Sequence, residues 1–227
     1  MRRLRRAIAF AGLLSFLLTP CLRALAFADG GNRERLVALT FDDGPHPGNT
    51  GRILDVLKRN GIRATFFILG CNAGYYPEPL LRAIEEGHEI ENHSFDHKTE
   101  GKSTEELTRS LEETAALITD MTGRRPRYFR PPGGKCTREM KVALDLLGYE
   151  PIYWTVDSED WKGKSAEAIV SSVLRSVRGN DIILFHDYTC PNDNTVEALT
   201  ELIPRLRAAG YRFVTVEELK SKTASRE

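Results

Sequence analysis

From Leu36 onward the chain alternates short runs rich in β-branched and aromatic residues with longer segments whose apolar positions recur every three to four residues. The first pattern predicts strands and the second amphipathic helices. Strands are expected at residues 36–41, 64–69, 89–93, 128–130, 151–156, 181–186 and 211–216, and helices at 49–59, 78–86, 104–121, 138–147, 166–177 and 196–209. Gly61, Gly87, Gly123, Gly148, Gly179 and Gly210 each stand just past a predicted helix, where a left-handed C-cap suits glycine. Ser103 and Glu106 have the spacing of a capping box for the longest helix. Strict strand-helix alternation implies parallel strands with the helices outside, because parallel neighbours need crossover connections. A seven-unit barrel and a doubly wound open sheet fit this pattern equally well. In either, function collects at the C-terminal ends of the strands.

The N-terminus departs from this alternation. Met1-Arg2-Arg3-Leu4-Arg5-Arg6 leads into an apolar run from Ala7 to Leu18, the layout of a secretory signal. Small-residue sites at Ala24-Leu25-Ala26 and Ala26-Phe27-Ala28 would start the mature chain near Phe27 or Asp29. The apolar run is shorter than the ~20 residues of a spanning helix, so cleavage is favoured over an uncleaved anchor. We therefore read residues 1–28 as a leader and 29–227 as one catalytic domain, secreted or anchored at the outer face of the cell membrane and associated with the wall. The whole chain has 32 basic and 32 acidic residues; without the five arginines before Asp29 the balance is 27 to 32. That acidic excess speaks against nucleic acid as a partner. Beyond Cys21, the cysteines Cys71, Cys136 and Cys190 allow one bridge and one free thiol, with the pairing open.

Chemistry-bearing residues fall at the predicted strand ends. The first strand runs into Asp42-Asp43-Gly44-Pro45, where successive side chains point apart, so that one carboxylate can ligate a metal while the other acts as a base. Taken alone, Asp-Gly-Pro is equally ordinary turn chemistry. The third strand ends in His93-Ser94-Phe95-Asp96-His97, whose imidazoles converge on one ion if the segment forms a helical turn. Arg130-Pro131-Pro132-Gly133-Gly134 ends the fourth, a rigid exit with glycine amides able to stabilise an oxyanion. Asp157-Ser158-Glu159-Asp160-Trp161 ends the fifth, and the apolar sixth ends in His186-Asp187, the place of a general acid or base. His46 follows the double aspartate and can line the cleft, and His88 reads as structural at a helix end. Tyr75 and Tyr76 can stack on a sugar or pack the rim.

Other motifs fail on detail. His88-Glu89 with His93 is one residue too long for a metalloprotease helix, and Gly101-Lys102-Ser103 and Gly163-Lys164-Ser165 lack the first glycine of a phosphate loop. Asn92-His93-Ser94 is a formal glycosylation sequon, but a glycan there would block the histidine pair.

Together, Thr40-Phe41-Asp42-Asp43-Gly44, His93-Ser94-x-x-His97, Arg130-Pro131-Pro132-x-Gly134, Asp157-Ser158-x-Asp160-Trp161 and Leu184-x-His186 resemble, in order, the polysaccharide deacetylase (NodB-homology) family of carbohydrate esterases. The resemblance spans about Leu36 to Glu218 and implies an α/β fold, a distorted (β/α) barrel of about seven parallel strands. It implies that Asp43, His93 and His97 bind one divalent metal ion, zinc first and cobalt or another divalent next. It makes Asp42 the base toward the attacking water, with the Gly133 amide holding the oxyanion and His186 protonating the leaving amine. Arg130 would orient the base, Asp160 would tune the histidine, and Trp161 and Leu184 would form the pocket for the acetyl methyl. The implied substrate is an N-acetylglucosamine polymer, peptidoglycan or chitin-like, acted on by a monomer. An O-acetyl esterase and a non-catalytic carbohydrate-binding protein are the alternatives. Two positions depart from the family pattern: Gly133 where many relatives carry tyrosine, and Glu91 where a glycine is common.

Overall fold

A computed structural model describes residues 34–188 and 194–224; the basic leader, Cys21 and Cys190 lie outside the described residues. The sheet is built around β1 (Arg35–Asp42), every residue of which after Arg35 is buried. On one edge β1 pairs in parallel with β7 (Asp181–His186), with Val37 opposite Asp181 and Asp42 opposite His186. On the other it pairs with β8 (Tyr211–Phe213) near its start and with β2 (Thr65–Ile68) near its end. Beyond β2 follow β3 (Glu89–Asn92), β4 (Tyr128–Phe129) and β5 (Glu150–Pro151), and beyond β7 lies β6 (Val156–Asp157).

The two ends of this sheet are consecutive in the chain. The segment expected to form one strand at 151–156 is instead two, because its start pairs with β4 and its end with β7. Ile152 donates to the Phe129 carbonyl and Thr155 to that of Ile182, so residues 152–155 carry the chain across the seam. The result is a distorted barrel of parallel strands.

Alternation along β1 sorts the core. Val37, Leu39 and Phe41 face outward, where Phe41 stacks between Phe66 at 5.0 Å and Phe185 at 5.8 Å, and α1 (Asn49–Arg59), α6 (Ala166–Ser176) and α7 (Asn194–Ala208) cover them. Leu36 and Ala38 face inward with Phe67, Tyr128, Ile152 and Val214, and α8 (Val216–Ala224) packs on this inner cluster through Val216 and Leu219. Thr40 and Asp42 continue the inward row as buried polar residues. The interior thus changes from apolar to polar toward the strand C-termini. A third cluster joins α4 (Thr104–Thr122) and α5 (Arg138–Leu147) to Phe129 and Tyr149.

The capping box at Ser103 and Glu106 is present, and Gly123 and Gly148 close α4 and α5 in left-handed conformations. Two helices escape the apolar pattern. α2 (Gly70–Tyr75) has six residues, two of them glycine, too few to show a period. α8 begins inside the segment expected to be strand, although Thr215 and Glu218 form a reciprocal capping box that marks its start. α3 (Pro77–Glu85) lies one residue before its expected position.

Glu91, the departure on β3, finds its partners in the chain around the start of β4. Its fully buried carboxyl accepts from the Tyr128 amide at 2.7 Å and reaches Arg124 at 3.4 Å. Burial, reinforced by Glu89, pushes its pKa up to about 8; the Arg124 guanidinium, half in solvent, does not offset this. Glu91 therefore keeps its proton in the folded chain at pH values where the unfolded chain loses it, near ~4.3. Its contribution to stability is full below that value and is lost as pH rises to about 8. Denaturant titrations from pH 5 to 8 are expected to show wild-type stability falling with pH and a flatter slope for Glu91→Gln; equal slopes would refute the assignment.

Candidate active site

The turn after β1 places both aspartates. Asp43 adopts a left-handed backbone (φ 76°), a conformation aspartate tolerates better than most residues. This turn brings its carboxylate back beside that of Asp42, so the two do not diverge as strand alternation alone implies. His93 Nε2 lies 3.4 Å from Asp43 Oδ1 and 3.8 Å from Asp42 Oδ2. His97 Nε2 lies 3.5 Å from the same Asp43 oxygen. The imidazoles converge without the helical turn expected from their spacing: Ser94 and His97 are both left-handed (φ 79° and 65°), and the loop folds back on itself.

Each of these side chains is held from behind. His93 Nδ1 is 2.7 Å from the Arg130 carbonyl, which can only accept, so Nδ1 donates and Nε2 is the ring atom turned to the two aspartates. Asn72 on α2, absent from the sequence expectations, donates from Nδ2 to the Asp43 carbonyl at 2.7 Å. The start of α2 is tied to the histidine loop by Gly70 N to Ser94 O and Cys71 N to Phe95 O. A Cβ at Gly70 would fall 2.5 Å from Thr114 Oγ1 and 2.7 Å from the Phe95 ring, so only glycine permits this approach.

Arg130 is fully buried. Its Nη1 donates to Asp42 Oδ1 and Thr40 Oγ1, both at 2.7 Å, and its guanidinium lies 4.1 Å from the Phe67 ring centroid. Asp42 is thereby held through one oxygen while Oδ2 faces His93. Across the site, His186 Nδ1 donates to Asp160 Oδ1 at 2.8 Å. Asp160 is fixed by the amides of His186 and Trp161 and by the Thr195 hydroxyl. Burial alone would lower the His186 pKa, but the Asp160 hydrogen bond and the charges of Asp160, Asp42 and Asp43 raise it to about 9. Asp43, although burial opposes it, is held below the usual carboxylate range by His93 and the other histidines.

The remaining expected residues sort by position. Leu184 is buried on β7 two residues before His186, hence on the same face, and Trp161 is half exposed beside Asp160. Gly133 occupies a short 3₁₀ turn in a left-handed conformation, and a Cβ there would meet nothing within 4 Å. His46 is tied to the start of α1, its Nδ1 accepting from the Gly48 and Asn49 amides, and its ring meets Tyr188 edge-on at 4.8 Å. His88 is structural, accepting from the Ala64 amide with its pKa lowered by burial to about 4. Cys71 and Cys136 are free thiols, and Asn92, the sequon residue, is fully buried.

The residues fit a divalent metal. Asp43, His93 and His97 each offer a ligand atom, all within 4.8 Å of one another, and the buried Asp43 Oδ1 has no hydrogen-bond partner among the described residues. Two imidazole nitrogens and a carboxylate oxygen suit zinc and neighbouring transition metals. A sequence model of polysaccharide deacetylases matches residues 29–152. The chain belongs to this family. It is 35% identical over 190 residues to a peptidoglycan-N-acetylglucosamine deacetylase of Bacillus cereus, covering 83% of this chain and 89% of that one. It is 37% identical to the peptidoglycan-N-acetylmuramic acid deacetylase PdaC of Bacillus subtilis, covering 86% of this chain but only 40% of that protein. Among solved structures, a family 4 acetyl xylan esterase from Clostridium thermocellum, in complex with a cobalt ion, superposes with a TM-score of 0.78 at 34% identity, covering 84% of this chain and 92% of that one.

Removing the Asn72 amide frees the carbonyl of the left-handed Asp43 and loosens the carboxylate it carries. Asn72→Ala is expected to weaken zinc binding by about tenfold to a hundredfold, the usual effect of losing a residue that orients a ligand. Competition titration against a chelating dye reads this directly; unchanged affinity would show that Asn72 is not needed to hold Asp43.

Proposed function

We propose that this chain hydrolyses acetamide groups on an N-acetylglucosamine polysaccharide, with zinc, or cobalt in its place, held by Asp43, His93 and His97. The observation that carries the reading is the unpartnered Asp43 oxygen facing two imidazole nitrogens, with a carboxylate base on one side and a charged histidine on the other. When bound, the metal supplies Lewis-acid polarisation of the acetyl carbonyl and acidifies a water.

The protein groups divide the proton work. Asp42 Oδ2, left open while Arg130 holds Oδ1, accepts a proton from the attacking water as the new C–O bond forms. The Gly133 amide donates to the oxygen on which charge develops. His186, protonated at neutral pH and anchored through Nδ1, gives a proton to the leaving nitrogen as the C–N bond breaks, releasing acetate and a free amine. Leu184 and Trp161 bound the space for the acetyl methyl. Arg130 and Asp160 fix the orientation of base and acid.

The names of the relatives favour peptidoglycan, and the Arg-rich start with its apolar run supports export to the wall. Similarity to an acetyl xylan esterase keeps O-acetyl release as a second reading. Acetate release from peptidoglycan, chitin oligomers and acetylxylan, with zinc or cobalt loaded, separates the two. Asp42→Asn and His93→Ala are each expected to lose about a hundredfold or more in kcat; wild-type rates in both would defeat the mechanism.

The Asp160–His186 pair adds a pH signature. Activity is expected to decline as pH rises toward about 9, where His186 gives up its proton. In Asp160→Asn the hydrogen bond to a charged partner is lost, so the alkaline limb should move to lower pH. An unmoved limb in the pH profile of kcat/KM would show that Asp160 does not set the acid.

A further inference from the structure

Asp187 follows the proton-donating histidine, yet the mechanism gives it no task. It is buried, and its surroundings are unusual for a carboxyl. Oδ2 accepts from the Thr50 hydroxyl at 2.6 Å, Oδ1 has no partner among the described residues, and the group lies flat against Gly44. A Cβ at Gly44 would fall 2.1 Å from Oδ2 and 2.3 Å from Oδ1, so the glycine and the carboxyl occupy one shared space. The Asp187 amide donates to the Asp42 carbonyl at 3.2 Å, and the Thr50 hydroxyl also accepts from the His46 amide at 2.7 Å. On the far side of the turn, the Leu69 amide donates to the Gly44 carbonyl at 2.9 Å.

From this geometry we infer that Asp187 is a positioning residue, setting by shape and hydrogen bonding the spacing between the Asp42–Gly44 turn and His186. Base and metal ligand leave β1 through that turn, and the acid leaves β7 one residue before Asp187. Asp187 is not among the residues that offer a metal-ligand atom; its carboxyl fills the wedge between the two strand exits, and Thr50 locks it there from the start of α1. A displacement of about 1 Å at such a point costs on the order of a hundredfold in rate, because the carbonyl must meet base, metal and acid together. The inference rests on the deacetylase reading for its rate effect, but its effect on the metal site is independent of substrate.

The test uses the full chain and four variants: Asp187→Ala, Asp187→Asn, Thr50→Val and Thr50→Ser. Zinc affinity is read by chelator competition, and kcat and KM are read per bound zinc. Asp187→Ala and Thr50→Val are expected to weaken zinc binding by about tenfold and to lower kcat by about tenfold or more, with KM within about twofold. Asp187→Asn and Thr50→Ser, which keep shape and hydrogen bond, should stay within about threefold of wild type. A purely structural residue would lower thermal stability and leave kcat per bound metal and zinc affinity unchanged, and that result overturns the proposal. So does Asp187→Asn failing as badly as Asp187→Ala, since charge and not fit would then matter. Should Asp187→Ala not fold, Thr50→Val against Thr50→Ser decides. Absence of acetate release by wild type on every substrate refutes the deacetylase reading, while the zinc titrations still decide the role of Asp187.

Discussion

The ion pair between Arg130 and Asp42 is the constraint on which the site depends. Both groups are buried, and breaking such a pair by removing one partner leaves an uncompensated charge at a cost of about 3–5 kcal/mol. Arg130 also does more than pair. Its amide donates to the Asn92 carbonyl, its own carbonyl fixes the tautomer of His93, and its Nη1 spans Thr40 and Asp42. One residue therefore joins β4, β3 and β1 and orients both Asp42 and His93. Its flat guanidinium rests on Phe67, which lysine could not reproduce.

That pair is tolerable only because the barrel interior is graded. Leu36, Ala38 and Val214 fill one end with apolar volume, and α8 packs against it. Toward the strand C-termini the inward positions become Thr40 and Asp42, and polar side chains there find partners on neighbouring strands. A parallel sheet supplies this gradient directly, since all strands run the same way and all their polar ends share one rim. Side chains from the ends of β1, β3, β4, β6 and β7 therefore meet at that rim.

Much of this was legible because it follows from period and punctuation. The strand ends at Asp42, His93 and His186 and the boxes and glycines that stop the helices are local signals. What escaped depends on long-range geometry. Nothing in Asp42-Asp43 shows that Asp43 turns left-handed and brings its carboxylate back toward its neighbour's, and nothing in His93 to His97 shows two left-handed residues replacing a helical turn. Residues 151–156 read as one strand because their composition is uniform, while their two partners lie at opposite ends of the sheet. Asn72 bonds the Asp43 carbonyl and Asp187 the Thr50 hydroxyl, partners far away in sequence that only the fold reveals. The start of α8 is different: its Thr215–Glu218 box was in the sequence and was masked by the β-rich run before it.

Charge accounting at the rim explains why a cation belongs there. Asp42 is matched by Arg130, and Asp160 by a protonated His186. Asp187, fully buried, is pushed up to about 7 by that burial and by Asp43 and Asp42, so near neutrality it need not carry a full charge. Asp43 has its pKa lowered, and its buried Oδ1 has no hydrogen-bond partner among the described residues. Around it stand the Nε2 atoms of His93 and His97, at 3.4 and 3.5 Å, and burial lowers the His97 pKa. The protein gathers two imidazole nitrogens around that one carboxylate oxygen, which is the donor set of a divalent cation site.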